Sequence, residues 1–198
     1  MGRAEKAIMI PTMAPPRPAK RATYQDVLDA PEKLKTELID GVLYQVAPRP
    51  RHQAATGRLL TQLSNEHGDS LPSSRRRWVF LHDTELHFGE DVLVPDISGW
   101  LIERFPGLGE ETYYVTAPDL VIETLSPSTQ RVDRVIKLAV FLRERIPNLW
   151  YVDPVERTVE CLQLDGPGYR LLRTFGDDGV LDVPPFADGP IDLSRIWL

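Results

Sequence analysis

Residues 118–154 read PDLVIETLSPSTQRVDRVIKLAVFLRERIPNLWYVDP. Asp119 to Leu125 is nearly continuously apolar, as in a strand covered on both faces. Ser126-Pro127-Ser128 ends it. Arg131 to Ile146 then carries Val135, Ile136, Leu138, Ala139, Leu142 and Ile146 at helical spacing, which predicts a helix with a wide apolar face closed by Pro147-Asn148. Residues 149–153, LWYVD, give a further strand. A strand, a helix and a strand in this order form a crossover unit if the strands are parallel neighbours, so the chain is expected to be mixed α/β.

Thr23 and Asp26 suit the start of a short helix ending before Pro31. Residues 34–46 read as a hairpin about Asp40-Gly41, a dipeptide that fits a two-residue type I′ turn. From His52 to His67, Ala55, Leu59, Leu60 and Leu63 recur at helical spacing, and Gly68 is a natural stop. Residues 78–101 suggest three short strands, WVFL, TELHF and VLVPDISGWL, in a meander. Residues 157–164 pair back onto 149–153, and 169–175 add one more strand.

A length of 198 residues suits one domain, expected over 23–198. Residues 1–22 hold Pro11, Pro15, Pro16 and Pro18 and five basic residues against Glu5, and read as a disordered basic tail. The body is therefore more acidic than the net charge of -6 suggests. Such a body binds a polyanion only where positive charge is concentrated or metal ions supply it. There is no apolar run near the ~20 residues of a membrane span, and the start lacks the apolar core of a secretory signal. A lone cysteine, Cys161, rules out an intrachain disulfide framework and a cysteine-rich zinc site. A cytoplasmic location is the expectation.

Two carboxylates stand where strands should be apolar: Asp96 after VLVP, and Glu123 inside VIETL. An unpartnered buried carboxylate costs several kcal/mol, so each requires a cation, a hydrogen-bond network or a metal ion. Taken singly, each reads first as a strand-end acid with backbone or arginine partners. Taken together they make a site for Mg²⁺ or Mn²⁺ an equal alternative, since Mg²⁺ binds through one or two carboxylates, waters and substrate phosphates. Lys137 interrupts VIKLAVFL; a helical wheel puts it near Asp133 and Glu144, where an exposed pair with Asp133 contributes ~0.3 kcal/mol. Glu37 on the hairpin and His52 on the first long helix also read as surface residues on this basis.

Taken in order, ELIDGVLY, His52 on a helix, VLVPDISGW and the quoted 118–154 stretch resemble the Uma-two family of bacterial restriction-endonuclease-like proteins, within the PD-(D/E)XK nuclease superfamily. The likeness runs from about Glu37 to Val159. It implies a restriction-endonuclease-like core, a central mixed β-sheet flanked by helices, with Mg²⁺ or Mn²⁺ at Asp96, Glu123 and Glu37. The catalytic set would be Asp96, Glu123 and Lys137. The superfamily lysine two positions after the second acid is replaced here by Leu125, and Lys137 stands as its relocated counterpart. The activity implied is hydrolysis of phosphodiester bonds in nucleic acid, DNA first, with a homodimer for double-strand cleavage. Arg75-Arg76-Arg77, Arg131 and Arg134 are candidate phosphate contacts. Two alternatives stand beside it: an inactive nuclease-fold binding module, and a glycoside hydrolase using the same acids, for which only Trp100 offers a nearby aromatic platform.

Overall fold

A computed structural model describes residues 21–47, 49–69 and 77–197. Most of the basic tail, and Arg75 and Arg76, lie outside these residues. The short helix is α1 (Tyr24–Leu28), where the Asp26 carboxylate accepts the Thr23 N–H at 2.7 Å. The hairpin is β1 (Lys35–Ile39) and β2 (Val42–Val46), with φ of 52° at Asp40 and 76° at Gly41, as a type I′ turn needs. Next comes α2 (Pro50–His67). It stops at Gly68, as expected, with that glycine in extended backbone, φ -64°; a Cβ there would stand 2.3 Å from the Ser64 carbonyl oxygen. Glycine is required at this point by close approach.

Residues 78–101 form four strands, not three: β3 (Trp78–His82), β4 (Glu85–Phe88), β5 (Asp91–Leu93) and β6 (Ile97–Leu101). They are also no meander. Strands β4 and β5 join a five-stranded sheet ordered β2-β1-β5-β4-β7, with β7 at Tyr113–Tyr114. Strands β3 and β6 belong to a six-stranded sheet ordered β11-β10-β9-β8-β6-β3, containing β8 (Leu120–Thr124), β9 (Asn148–Asp153), β10 (Thr158–Asp165) and β11 (Gly168–Gly176). The chain changes sheet at Val94-Pro95-Asp96, where proline lacks the donor that a continued ladder would use. Asp96 thus sits at the crossing point.

In the larger sheet β8 and β9 are parallel neighbours, Glu123 opposite Tyr151, as the crossover reading required. Alternation along β8 divides its side chains between two cores. Leu120 and Ile122 face α2, packing with Leu59, Leu63, Trp150 and Phe186. Val121 and Leu125 face the smaller sheet and the crossover helix, with Ile39, Leu93, Phe141 and Tyr151. Glu123 falls on this second face by parity. Both faces being covered explains why all of β8 and β9 is buried. A small pair, β12 (Val180–Leu181) with β13 (Ile191–Asp192), closes the far end of the first core.

The crossover helix departs from the expected regular α-helix. Val132–Lys137 is wound as a π-helix and passes into α3 (Leu138–Arg143), so the helical backbone ends before Ile146. The wider turn changes the angular register, leaving Val135 56% exposed while Asp133 and Lys137 are buried. π-turns of this kind recur at functional sites. No helix among the described residues is long and apolar enough to cross a membrane.

Candidate active site

Strands β1 and β8, the sheet crossing at Asp96, helix α2 and the π-turn converge on a cleft of about 1,010 Å³ lined by Lys35, Glu37, His52, Asp96, Glu123, Thr124, Asp133 and Lys137. All four residues named from sequence as catalytic or metal-binding are here, and all are buried. Burial overturns the surface readings of Glu37 and Lys137. The exposed Asp133–Lys137 pair expected from the wheel is instead an interior contact of 3.4 Å.

Lys137 Nζ stands 2.6 Å from Glu123 Oε1 and 3.0 Å from Glu37 Oε1. Burial alone would lower its pKa; the three carboxylates, Glu123 first, outweigh that and push it well above the usual value. Glu37 Oε1 also accepts the Val94 N–H at 2.8 Å, tying β1 to the sheet crossing. The Tyr151 hydroxyl on β9 donates to the Asp133 carbonyl at 3.0 Å and holds the π-turn against the sheet.

Asp96 has a separate set of partners. Its Oδ1 is contacted by Lys35 Nζ; its Oδ2 accepts the Thr124 N–H at 2.7 Å and lies 3.0 Å from His52 Nε2. His52 is therefore part of the site and not a free surface residue. Burial pushes the Asp96 carboxyl up, but Lys35, His52 and the more distant Lys137 outweigh it and hold it well below the usual range. Burial pushes Glu123 up as well, and there it prevails over Lys137: the carboxyl stands well above its usual value, with Asp96, Asp133 and Glu37 adding to the rise. Two acids of one cleft, Asp96 just before β6 and Glu123 on β8, are thus driven apart in proton affinity.

Lys35 is the residue that sequence reasoning missed. Period-2 alternation places it on the same face of β1 as Glu37, and that spacing was the available signal. Arg134 is not a free phosphate contact: it is bidentate to Glu160 at 2.8 and 2.7 Å and lies over the Tyr151 ring. Trp100, the platform a sugar site would use, is fully buried and donates to the Thr116 carbonyl within the core.

Among the described residues, no group of three or more His, Cys, Asp or Glu side chains is assembled to hold a metal ion. The donor set nevertheless fits a hard divalent cation that keeps its waters. Two carboxylates, with waters and substrate phosphates, are sufficient for Mg²⁺. Four buried carboxylates, Glu37, Asp96, Glu123 and Asp133, face two lysines, leaving an excess of negative charge. Glu123 Oε1, though close to Lys137, accepts no hydrogen bond of normal geometry.

The fold and this buried acid–lysine centre define a mixed α/β protein of nuclease-type architecture. A crystal structure from Anabaena variabilis ATCC 29413, described as "a putative nuclease belonging to DUF820", has the same fold with a TM-score of 0.69 at 23% identity, over 88% of this chain and 97% of that one. Residues 21–193 match the family described as "Uma2: Putative restriction endonuclease", and the chain belongs to that family. No curated protein matches the sequence.

Proposed function

We propose that this chain is a metal-dependent endonuclease of the PD-(D/E)XK type, hydrolysing phosphodiester bonds in DNA with Mg²⁺ or Mn²⁺. The observation that carries the reading is the convergence of Asp96 and Glu123 on one cleft, within a group of four buried carboxylates that faces two lysines. Asp96 and Glu123 would hold the ion, with Glu37 at its edge. When bound, such an ion polarises the phosphate, lowers the pKa of water and balances charge on the leaving oxygen.

The protein's own contribution is positional. The Thr124 N–H and His52 fix the orientation of Asp96, and the low proton affinity of this acid keeps it anionic at neutral pH. Lys137 holds Glu37, Glu123 and Asp133 in one cluster from beneath. In the reaction a water oxygen bonds to phosphorus, the P–O bond to the leaving sugar oxygen breaks, that oxygen takes a proton from solvent to leave as a hydroxyl, and the proton lost by the attacking water passes to solvent or to a basic side chain in the cleft. Cleavage of both strands would place two copies of the chain on one duplex.

The test is cleavage of supercoiled plasmid, single-stranded DNA and RNA by purified protein in Mg²⁺, Mn²⁺ or EDTA, with Asp96→Ala as control. Metal-dependent cleavage of DNA that Asp96→Ala abolishes is the expected result. Preference for RNA would correct the substrate. Cleavage unaffected by EDTA would contradict the metal reading, and inertness toward every nucleic acid would leave a binding module.

A further inference from the structure

The site holds two lysines in different circumstances. Lys137 is 2% exposed and has three carboxylate partners, all buried. Its ammonium is enclosed by these acids, and moving it toward a phosphate would strip buried carboxylates of their counter-charge. Lys35 is 14% exposed at its side chain, lines the cleft, and contacts Asp96 Oδ1 and the exposed Asp83, 3.3 Å away. The Asp96 oxygen it contacts is the one not engaged by Thr124 and His52. A cation entering the cleft toward Asp96 therefore meets Lys35 first, and the two compete for Oδ1.

We propose that Lys35 is the cation this site presents to the substrate phosphate, and that Lys137 is a positioning residue that holds the carboxylates. This rests on the endonuclease reading above and changes which lysine carries the charge. Lys35 stands at the start of β1, on a flexible four-carbon stem whose ammonium is a compact point charge. Loss of its contact with Asp96 to an incoming ion leaves it within reach of the negative charge that the same ion brings in. Charge developing on the phosphate in the transition state is then met by a cation held in the half-enclosed cleft, where such a group is worth more than in water.

The experiment compares wild type, Lys35→Met, Lys35→Arg and Lys35→Gln for plasmid cleavage in Mn²⁺, for Mn²⁺ affinity by calorimetry, and for melting temperature. Lys35→Met is expected to cleave about 100-fold more slowly or worse, with Lys35→Arg recovering part of the rate. The same Met variant is expected to bind Mn²⁺ at least as tightly as wild type, since the competing ammonium is gone. A purely structural role would not produce that combination. If Lys35→Met does not fold, Lys35→Gln, which keeps a donor toward Asp96, is read in its place with the same expectations. Cleavage within about threefold of wild type overturns the assignment while leaving the endonuclease reading intact. Parallel loss of Mn²⁺ binding and cleavage also overturns it. A wild type that cleaves nothing removes the underlying reading, and this inference with it.

Discussion

Replacing Lys137 by methionine should be the most damaging single change near the site, because of what it leaves behind. The side chain is fully enclosed, and methionine fills much of its volume without supplying charge. Glu123, Glu37 and Asp133 would then face one another without a cation, at positions where the lysine had stood 2.6, 3.0 and 3.4 Å away. Removing one partner of a buried ion pair costs about 3–5 kcal/mol. At about 2–4 °C per kcal/mol for a protein of this size, melting should fall by about 6–20 °C at pH 7. Protonating the orphaned acids relieves the penalty, and Glu123 takes up its proton well above the usual carboxylate range, so the loss should shrink progressively as pH falls from neutrality. Converting Glu123 to glutamine in the same molecule removes one of the unbalanced charges, so Lys137→Met/Glu123→Gln should melt above Lys137→Met alone. Scanning calorimetry of the four members of this cycle in EDTA measures the coupling directly. A Lys137→Met variant melting within about 2 °C of wild type at pH 7 would refute the claim that this lysine holds the carboxylates together.

Further consequences are open to simple measurement. The raised Glu123 carboxyl favours folding only below its unfolded pKa, about 4.5, and that contribution disappears as pH rises through the folded value. Glu123→Gln, which resembles the protonated acid, should therefore match wild type in melting near pH 4.5 and exceed it increasingly toward pH 8 in EDTA; a constant difference would sink this. Asp96 has the opposite sign: its contribution is present above the usual carboxylate range and is lost only as pH falls through its depressed folded value. Any acid-induced loss that Asp96→Asn abolishes should accordingly appear below about pH 4 and not between 5 and 7. Gly68→Ala should cost about 1–3 kcal/mol in denaturant titrations, since its Cβ would be forced against a helix carbonyl; a neutral result would mean that the end of α2 moves freely. Lys33 and Arg49 line the cleft and form no ion pair among the described residues. Their replacement by glutamine should weaken DNA binding in Ca²⁺ and lower the salt dependence by about one ion per lost phosphate contact.

Local signals in the sequence carried the architecture well where one segment decides its own geometry. Asp40-Gly41 specified its turn, and the apolar run at 119–125 specified a strand buried on both faces. The division of residues 78–101 between two sheets was not legible, because strand partners are chosen by distant segments; the one local hint was Pro95 beside Asp96. At the site, Asp96 and Glu123 stood out as charges in apolar surroundings. Glu37 and Lys137 did not, since a hairpin acid and a helix lysine are ordinarily solvated, and the resemblance singled them out where patterning did not. The burial of Lys137 depends on the π-turn, which moves it off the face that a regular wheel assigns. Lys35 was passed over because a lysine at a strand start reads as solvated until Glu37, two residues on, is known to point inward.

The central claim is that Asp96 and Glu123 hold a divalent ion between adjacent strands. Crystals soaked in Mn²⁺ and measured at the manganese edge test it most directly. The account predicts an anomalous peak about 2.0–2.3 Å from a carboxylate oxygen of each residue, with Lys35 withdrawn from Asp96. A peak at exposed acids such as Asp83 alone, or none in the cleft at millimolar Mn²⁺, would contradict it.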